Sequence, residues 1–193
     1  VCYSIGDCLD ALSLAKSESA DGNVLIEKYM QGVQDMSFAY VVIDREPYLL
    51  KCGDRVVGAI KDGLDRQQIA TILPSAHAEQ YVNDVEPMVK EMIKSLGIKF
   101  GAVFLQGFWD NGKIFMYDPG MRFPGGDYDI VMRDCTGFDN MKSFVRFALT
   151  GDVASCYGDP SGVYKLNGNV CMILSVACRP GLISNIEGVE EIS

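Results

Sequence analysis

The chain has 193 residues, 48% of them hydrophobic and 22% charged, enough for one well-buried core and outside the disordered and fibrous classes. A net charge of −9 and an isoelectric point near 4.6, with no cluster of lysine or arginine, exclude a nucleic-acid surface. Seven cysteines without a C-x-x-C pair and a single histidine, His77, read as reduced, mostly buried thiols rather than as a zinc site or a disulfide framework.

The first predicted element is a short surface helix over 7–17, with Leu9, Leu12 and Ala15 at helical spacing and Asp7 as its N-cap. Asp21-Gly22-Asn23 then leads into VLIEKYM at 24–30, which reads as a strand, and a second strand follows at 37–44. Asp44-Arg45-Glu46 predicts a turn into a third strand at 47–52, giving an antiparallel meander. Asp54 and Arg55, just after it, read as a surface ion pair worth little.

Val82, Val85, Val89, Met92, Ile93 and Leu96 keep helical spacing over 78–97, with Pro87 kinking the helix or starting its second part, and Gly97 closing it. His77 reads as a helix-start residue without a catalytic role, and Trp109 as sheet core. A helix over 138–151 is expected to gather Phe138, Met141, Phe144, Val145 and Leu149 on one side and to stop at Gly151, and the last strands fall near 170–178 and 182–187. Strands joined by hairpins with helices between them make the fold class α+β, an antiparallel sheet with helices packed on it. The longest apolar run, VCMILSVAC at 170–178, is too short to cross a bilayer, and no signal-peptide pattern is present, so a cytoplasmic protein without a membrane partner is expected. The chain opens on Val1 and both ends look cut through continuing structure, which suggests a piece of a longer protein.

The stretch FLQGFWDNGKIFMYDPGMRFPGG at 104–126 displays Gln106, Asp118 and Arg122 on a hairpin. A two-residue Asn111-Gly112 loop pairs Gln106 with Tyr117 and sends Asp118 to the other face; a three-residue loop, Asp110-Asn111-Gly112, pairs Gln106 with Met116 and puts Gln106 and Asp118 on one face. In the second register they are diagonal neighbours about 7 to 8 Å apart at Cα, a span that oxygen-liganded cations can bridge. Mg²⁺ takes only one or two protein groups and fills its shell with water and phosphate oxygens, so an amide oxygen and one carboxylate suit a Mg-nucleotide. Arg122 offers a fork for phosphate or carboxylate oxygens, and Gly125 and Gly126 let backbone N–H groups approach an anion. Taken alone, the same residues also read as a strand polar group, a turn cap and a solvated charge.

Two separated stretches, in order, resemble the ATP-grasp superfamily, most closely its carbamoyl-phosphate-synthase-like branch. VLIEKYMQGVQDMS at 24–37 is similar to the family's hinge strand, which implies that Glu27, Lys28, Tyr29 and Met30 line the adenine site and Asp35 contacts the ribose. The hairpin is similar to its metal-binding strands: the resemblance puts Gln106 and Asp118 on the two metal positions and Arg122 on the phosphate-contacting arginine. The usual E-x-N-x-R becomes D-P-G-M-R, which leaves Gly120 where an asparagine oxygen would bind the second metal. The implied whole is the C-terminal half of one ATP-grasp module, with hinge-side strands and first helix over 1–52, the metal-binding hairpin and helices over 53–166, and the start of a C-terminal β element over 167–193. The resemblance implies an ATP-dependent ligase that activates a carboxylate as an acylphosphate for attack by an amine or thiol, with ATP and Mg²⁺, or Mn²⁺ in its place, as cofactors. Its partners are a small-molecule carboxylate and amine and the remaining N-terminal part of the parent chain, with no nucleic acid and a homo-oligomer left open. A nucleotide-binding or structural module that has lost ligase chemistry is the competing reading.

Overall fold

The computed structural model describes residues 2–30, 32–58, 68–152, 156–175 and 181–188. It forms two compact units, Val1–Val33 and Gln34–Ser193. In the first, α1 (Ile5–Glu18) begins one turn earlier than expected, because Ser4 rather than Asp7 is the N-cap. The Asp7 backbone N–H donates to Ser4 Oγ at 3.1 Å and the Ser4 backbone N–H donates to Asp7 Oδ2 at 3.1 Å, a reciprocal capping box. The helix buries none of its residues, as a surface helix should. The run at 24–30 belongs to no strand, contrary to its sequence pattern; Leu25 and Ile26 are exposed, and an apolar run becomes a strand only where a neighbouring backbone pairs with it.

The second unit is a six-stranded sheet with helices on both faces. Its elements are β1 (Gln34–Ile43), β2 (Glu46–Val57), β3 (Gln68–Leu73), α2 (Ala78–Asp84), α3 (Glu86–Ser95), β4 (Phe100–Asp110), β5 (Lys113–Gly120), α4 (Tyr128–Thr136), α5 (Asn140–Thr150), a 3₁₀ segment Val163–Gly168, and β6 (Cys171–Leu174). The strand order is β5-β4-β1-β2-β3-β6, antiparallel throughout. Asp44 and Arg45, both at positive φ (47° and 68°), make the tight turn between β1 and β2. Pro87 stands in the first turn of α3 and divides the expected single helix in two.

Alternation along β1 builds two cores. Met36, Phe38, Tyr40 and Val42 face one side and pack with Tyr81, Val89 and Ile93 of α2 and α3, while Ala39 and Val41 face the other and pack with Tyr128 and Met132 of α4, Phe138, Val163 and Leu166. In the first core the Tyr40 and Tyr81 hydroxyls lie 2.7 Å apart, and burial pushes both phenols far above their ordinary pKa. Tyr81→Phe should cost about 1–3 kcal/mol in urea unfolding by stranding the Tyr40 hydroxyl, and adding Tyr40→Phe should restore part of the loss. A double variant no more stable than Tyr81→Phe would show that the hydroxyl pair is not what was lost.

Three further expectations need correction. The helix over 138–151 is α5, stopped by Gly151 as expected, but Met141, Val145 and Leu149 point to solvent and Asn140 and Ser143 are buried. Ser143 turns inward because its hydroxyl finds partners there, Ser143 Oγ donating to Asp139 O at 2.7 Å and accepting from Tyr157 N at 3.0 Å; Asn140 is only half satisfied, its Nδ2 donating to the Tyr128 hydroxyl at 3.4 Å while its buried Oδ1 has no partner among the described residues. Residues 182–187 form no strand, and of the run at 170–178 only Cys171–Leu174 is strand, with 176–178 outside the described residues. Of the described cysteines, all free, only Cys52 is fully buried; Cys135 and Cys171 touch, sulfur to sulfur at 3.7 Å. No helix among the described residues is long and apolar enough to cross a membrane.

Candidate functional site

The hairpin of β4 and β5 turns on two residues, not three. Asp110 pairs with Lys113, and Asn111 and Gly112 carry positive φ (48° and 80°), the turn whose twist matches the strands. Gln106 therefore pairs with Tyr117, the register expected to separate Gln106 from Asp118. The separation does not follow, because the ladder breaks one residue later. Phe104 pairs with Gly120, so Asp118 and Pro119 together oppose Leu105, and Asp118 takes a left-handed φ of 49°. Pro119 has no N–H to give the ladder, which is the local reason for a bulge here. The bulge turns the Asp118 carboxylate back over the Gln106 side of the sheet, where Gln106 Nε2 donates to Asp118 Oδ2 at 3.2 Å.

That face holds more than the hairpin. Gln106 Oε1 accepts from Arg55 Nη1 at 2.6 Å and from the Tyr117 hydroxyl at 2.8 Å, and Arg55 Nε donates to Gln68 Oε1 at 2.9 Å. The surface ion pair expected for Asp54 and Arg55 is absent because β2 runs on through Val57, and alternation sends the two to opposite faces. Asp54 accepts from Ser75 Oγ and Ala76 N beside α2, while Arg55 joins Gln106. The Tyr117 phenol is raised by partial burial and by the Asp35 and Asp118 carboxylates, with Arg55 opposing.

Asp35, expected at the ribose, is 5% exposed on β1, cross-strand from Arg55 on one side and Phe108 on the other. Arg122 lies with its guanidinium 4.8 Å from the Phe104 ring and Nη1 donating to Phe123 O at 3.2 Å, so it borders the same face as Gln106. Gly125 and Gly126 are exposed in the loop that follows. Glu27, Lys28 and Tyr29 are exposed and Met30 half-buried in the first unit. His77 precedes α2 and stacks on Trp109 at 4.2 Å, and Trp109 Nε1 donates to Gln80 Oε1 at 3.0 Å, so both residues lock α2 onto the hairpin.

The donor set fits a hard divalent cation sparsely. Asp118 keeps Oδ1 outside its bond to Gln106, a suitable single carboxylate, whereas both lone pairs of the Gln106 amide oxygen are taken by Arg55 and Tyr117. Among the described residues no group of three or more His, Cys, Asp or Glu gathers to form a protein-only cage. Arg55 and Tyr117 were missed in the sequence; the signal available for Arg55 was the apolar Val56-Val57 that prolongs β2 past Cys52.

No protein-family model and no curated protein matches the chain. Solved structures do. A phosphoribosylglycinamide synthetase from Anaerococcus prevotii matches at a TM-score of 0.57 and 12% identity, over 76% of this chain and 36% of its own. An L-amino acid ligase from Bacillus licheniformis matches at 0.52 and 20% identity, over 63% and 30%. The biotin carboxylase domain of a 2-oxoglutarate carboxylase from Hydrogenobacter thermophilus, solved as a dimer with MgADP, ADP and bicarbonate, matches at 0.60 and 20% identity, over 78% and 33%. The chain spans about a third of the length of these proteins. Its fold is that of part of the ATP-grasp enzymes, as the sequence resemblance implied.

Proposed function

We propose that this chain is the ATP- and Mg²⁺-binding C-terminal half of an ATP-grasp ligase of the carbamoyl-phosphate-synthase-like branch. The observation that supports this most is the bulge at Asp118, which brings a carboxylate to Gln106 and Arg55 on one face of the sheet. In the proposed reaction the γ-phosphoryl group of ATP passes to an oxygen of a small-molecule carboxylate, ADP leaves, and an amine or thiol displaces the phosphate. This chemistry requires no side-chain nucleophile; the protein positions the reactants and neutralises charge. Asp118 would hold the metal, and Gln106 would be its second protein ligand with its amide oxygen freed from Arg55 or Tyr117. The metal, Mg²⁺ or Mn²⁺, supplies charge neutralisation at the phosphates. Arg122 presents its guanidinium fork to the transferred phosphoryl group.

Glu27, Lys28, Tyr29 and Met30 are assigned to adenine, and Asp35 to ribose, by the hinge resemblance alone. The parent chain supplies its N-terminal part, acts on a small-molecule carboxylate and amine, and is compatible with a homo-oligomer in the cytoplasm. Calorimetry tests the reading: MgADP should bind, chelation of the metal should abolish binding, and Asp118→Ala should do the same. Binding of ADP indifferent to both changes would overturn it. The parent should release ADP and phosphate only when carboxylate and amine are both present, and this chain alone should show little or no ATPase activity.

A second reading, a nucleotide-binding module without chemistry, draws on Arg55 occupying the Gln106 oxygen and on Gly120 in place of an asparagine. MgADP binding that Asp118→Ala removes, with no turnover by the parent on any carboxylate and amine pair, would favour it. Gly120→Asn probes the same point. A Cβ at Gly120 would meet only the Arg122 side chain, at 3.6 Å, so asparagine fits. Its oxygen should replace a metal-bound water and raise MgADP affinity roughly tenfold by calorimetry. Unchanged affinity would mean that position 120 does not face the metal.

A further inference from the structure

A second site on this face centres on Lys51. It is 4% exposed, and the bulge in β2 opposite Ala39 is what places it there: Leu50 and Lys51 together oppose one residue of β1, so both side chains lie on the Ala39 side. The ion pairs among the described residues join Lys90 to Glu86, Lys94 to Glu46 and Arg133 to Asp134, and none includes Lys51. Its ammonium has the Tyr128 ring as its neighbour, 5.5 Å from the centroid. A buried ammonium without a counterion is unfavourable, and the fold retains this one beside a like charge, Arg55.

Next to it is an unsatisfied hydroxyl. Ser37, 1% exposed, has its hydroxyl sealed from solvent without a hydrogen-bond partner. Ser37 pairs with Gly53 on β2 and with Gln106 on β4, so it is the diagonal neighbour of both Lys51 and Arg55 across the ladder. An ammonium and a hydroxyl therefore line one strip of sheet that continues past the Arg55–Asp35 cross-strand pair toward Gln106 and Asp118, so the uncompensated positive charge lies at its Lys51 end. Arg55 has Gln106 and Gln68 as acceptors, but among the described residues the Lys51 ammonium and the Ser37 hydroxyl have none, and an oxyanion is the chemistry those two share.

We propose that Lys51, assisted by Ser37, is an anion subsite that takes the carboxylate of the acid substrate. The charge decides for a carboxylate over the nucleotide: one buried ammonium balances one negative charge, whereas a phosphate tail carries several and has Arg55, Arg122 and the metal at the hairpin end. Assignment of the anion to a substrate rests on the ligase reading; the existence of the subsite does not. The groups that bear on the Lys51 proton are Arg55 and Cys52 on its own strand and Tyr128 on α4. Burial, with Arg55 adding to it, lowers its pKa to about 8, so a bound carboxylate must raise it again.

The test follows the Lys51 side-chain carbon and nitrogen signals by NMR in this chain, with acetate, inorganic phosphate and MgADP as separate probes. Acetate should shift the Lys51 signals and raise its pKa, and its affinity should fall about tenfold per pH unit above pH 8. Followed through the Ser37 and Tyr128 signals, Lys51→Met should abolish acetate binding, while Ser37→Ala should weaken it severalfold at Lys51. If phosphate or MgADP moves Lys51 and acetate does not, the carboxylate assignment is overturned. If no probe moves Lys51, the subsite itself is overturned, whatever MgADP does at Asp118. Acetate binding at Lys51 with no MgADP binding anywhere would sustain the subsite and sink the ligase reading instead.

Discussion

Replacing Asp118 by glycine is expected to leave the fold within about 1 kcal/mol of wild type while removing Mg²⁺-dependent ADP affinity by tenfold or more. The stability half follows from its backbone. At φ 49° a side chain crowds the following carbonyl, a cost of roughly 1–2 kcal/mol that glycine escapes. Glycine loses about 0.4–1 kcal/mol through greater freedom in the unfolded chain and about 0.5–1.5 kcal/mol with the bond from Gln106. These opposing effects nearly cancel. Asp118→Val, β-branched at the same left-handed position, should instead be clearly destabilised and disturb the β4–β5 pairing. Urea unfolding of the two variants, beside calorimetry with MgADP, separates the carboxylate's chemistry from its conformation. A glycine variant that keeps wild-type MgADP affinity would remove Asp118 from the metal site.

The second large effect is at Lys51, where methionine should raise stability by about 1–3 kcal/mol at pH 7. In the folded chain the ammonium titrates at about 8, against 10.5 for an ordinary lysine, with burial the main cause and Arg55 the second. Between those values the unfolded chain binds more protons than the folded one, so stability contributed by this residue rises with pH. The penalty is complete below pH 8 and gone by about 10.5. The methionine variant lacks it, so its advantage should be largest at neutral pH and should shrink across that window in urea unfolding. Loss of the contact with Tyr128 offsets part of the gain. A methionine variant less stable than wild type at pH 7 would mean that Lys51 has a counterion in solution.

The fold was legible where one strand followed another through a short turn. Apolar runs marked β1 and the start of β2, the Asn111-Gly112 pair marked the hairpin, and Pro87 and Gly151 marked helix boundaries. What the pattern could not carry was anything decided by a partner distant in sequence. VLIEKYM has a strand's composition and no ladder, β3 and α4 were not anticipated, and α5 buries Asn140 and Ser143 because their partners lie elsewhere in the chain. The site shows the same division. Gln106 and Asp118 were found in the sequence, yet through the wrong turn length; the actual cause of their meeting is a bulge at a proline two positions before Met121. Arg55 and Lys51 come to the same face from β2, and only the register with β1 shows it.

The strand order has a kinetic consequence. β1 sits inside the sheet, joined to β2 by a tight turn but to β4 across a long stretch of intervening chain, while β4 and β5 form their own local hairpin. Two ribbons can therefore form early and independently, and the slow event is their zipping together along the β1–β4 seam, where loop closure is costly. Substitutions at Phe38 or Leu105, on opposite sides of that seam, should slow refolding, whereas changes within either turn should act mainly on how fast each ribbon appears.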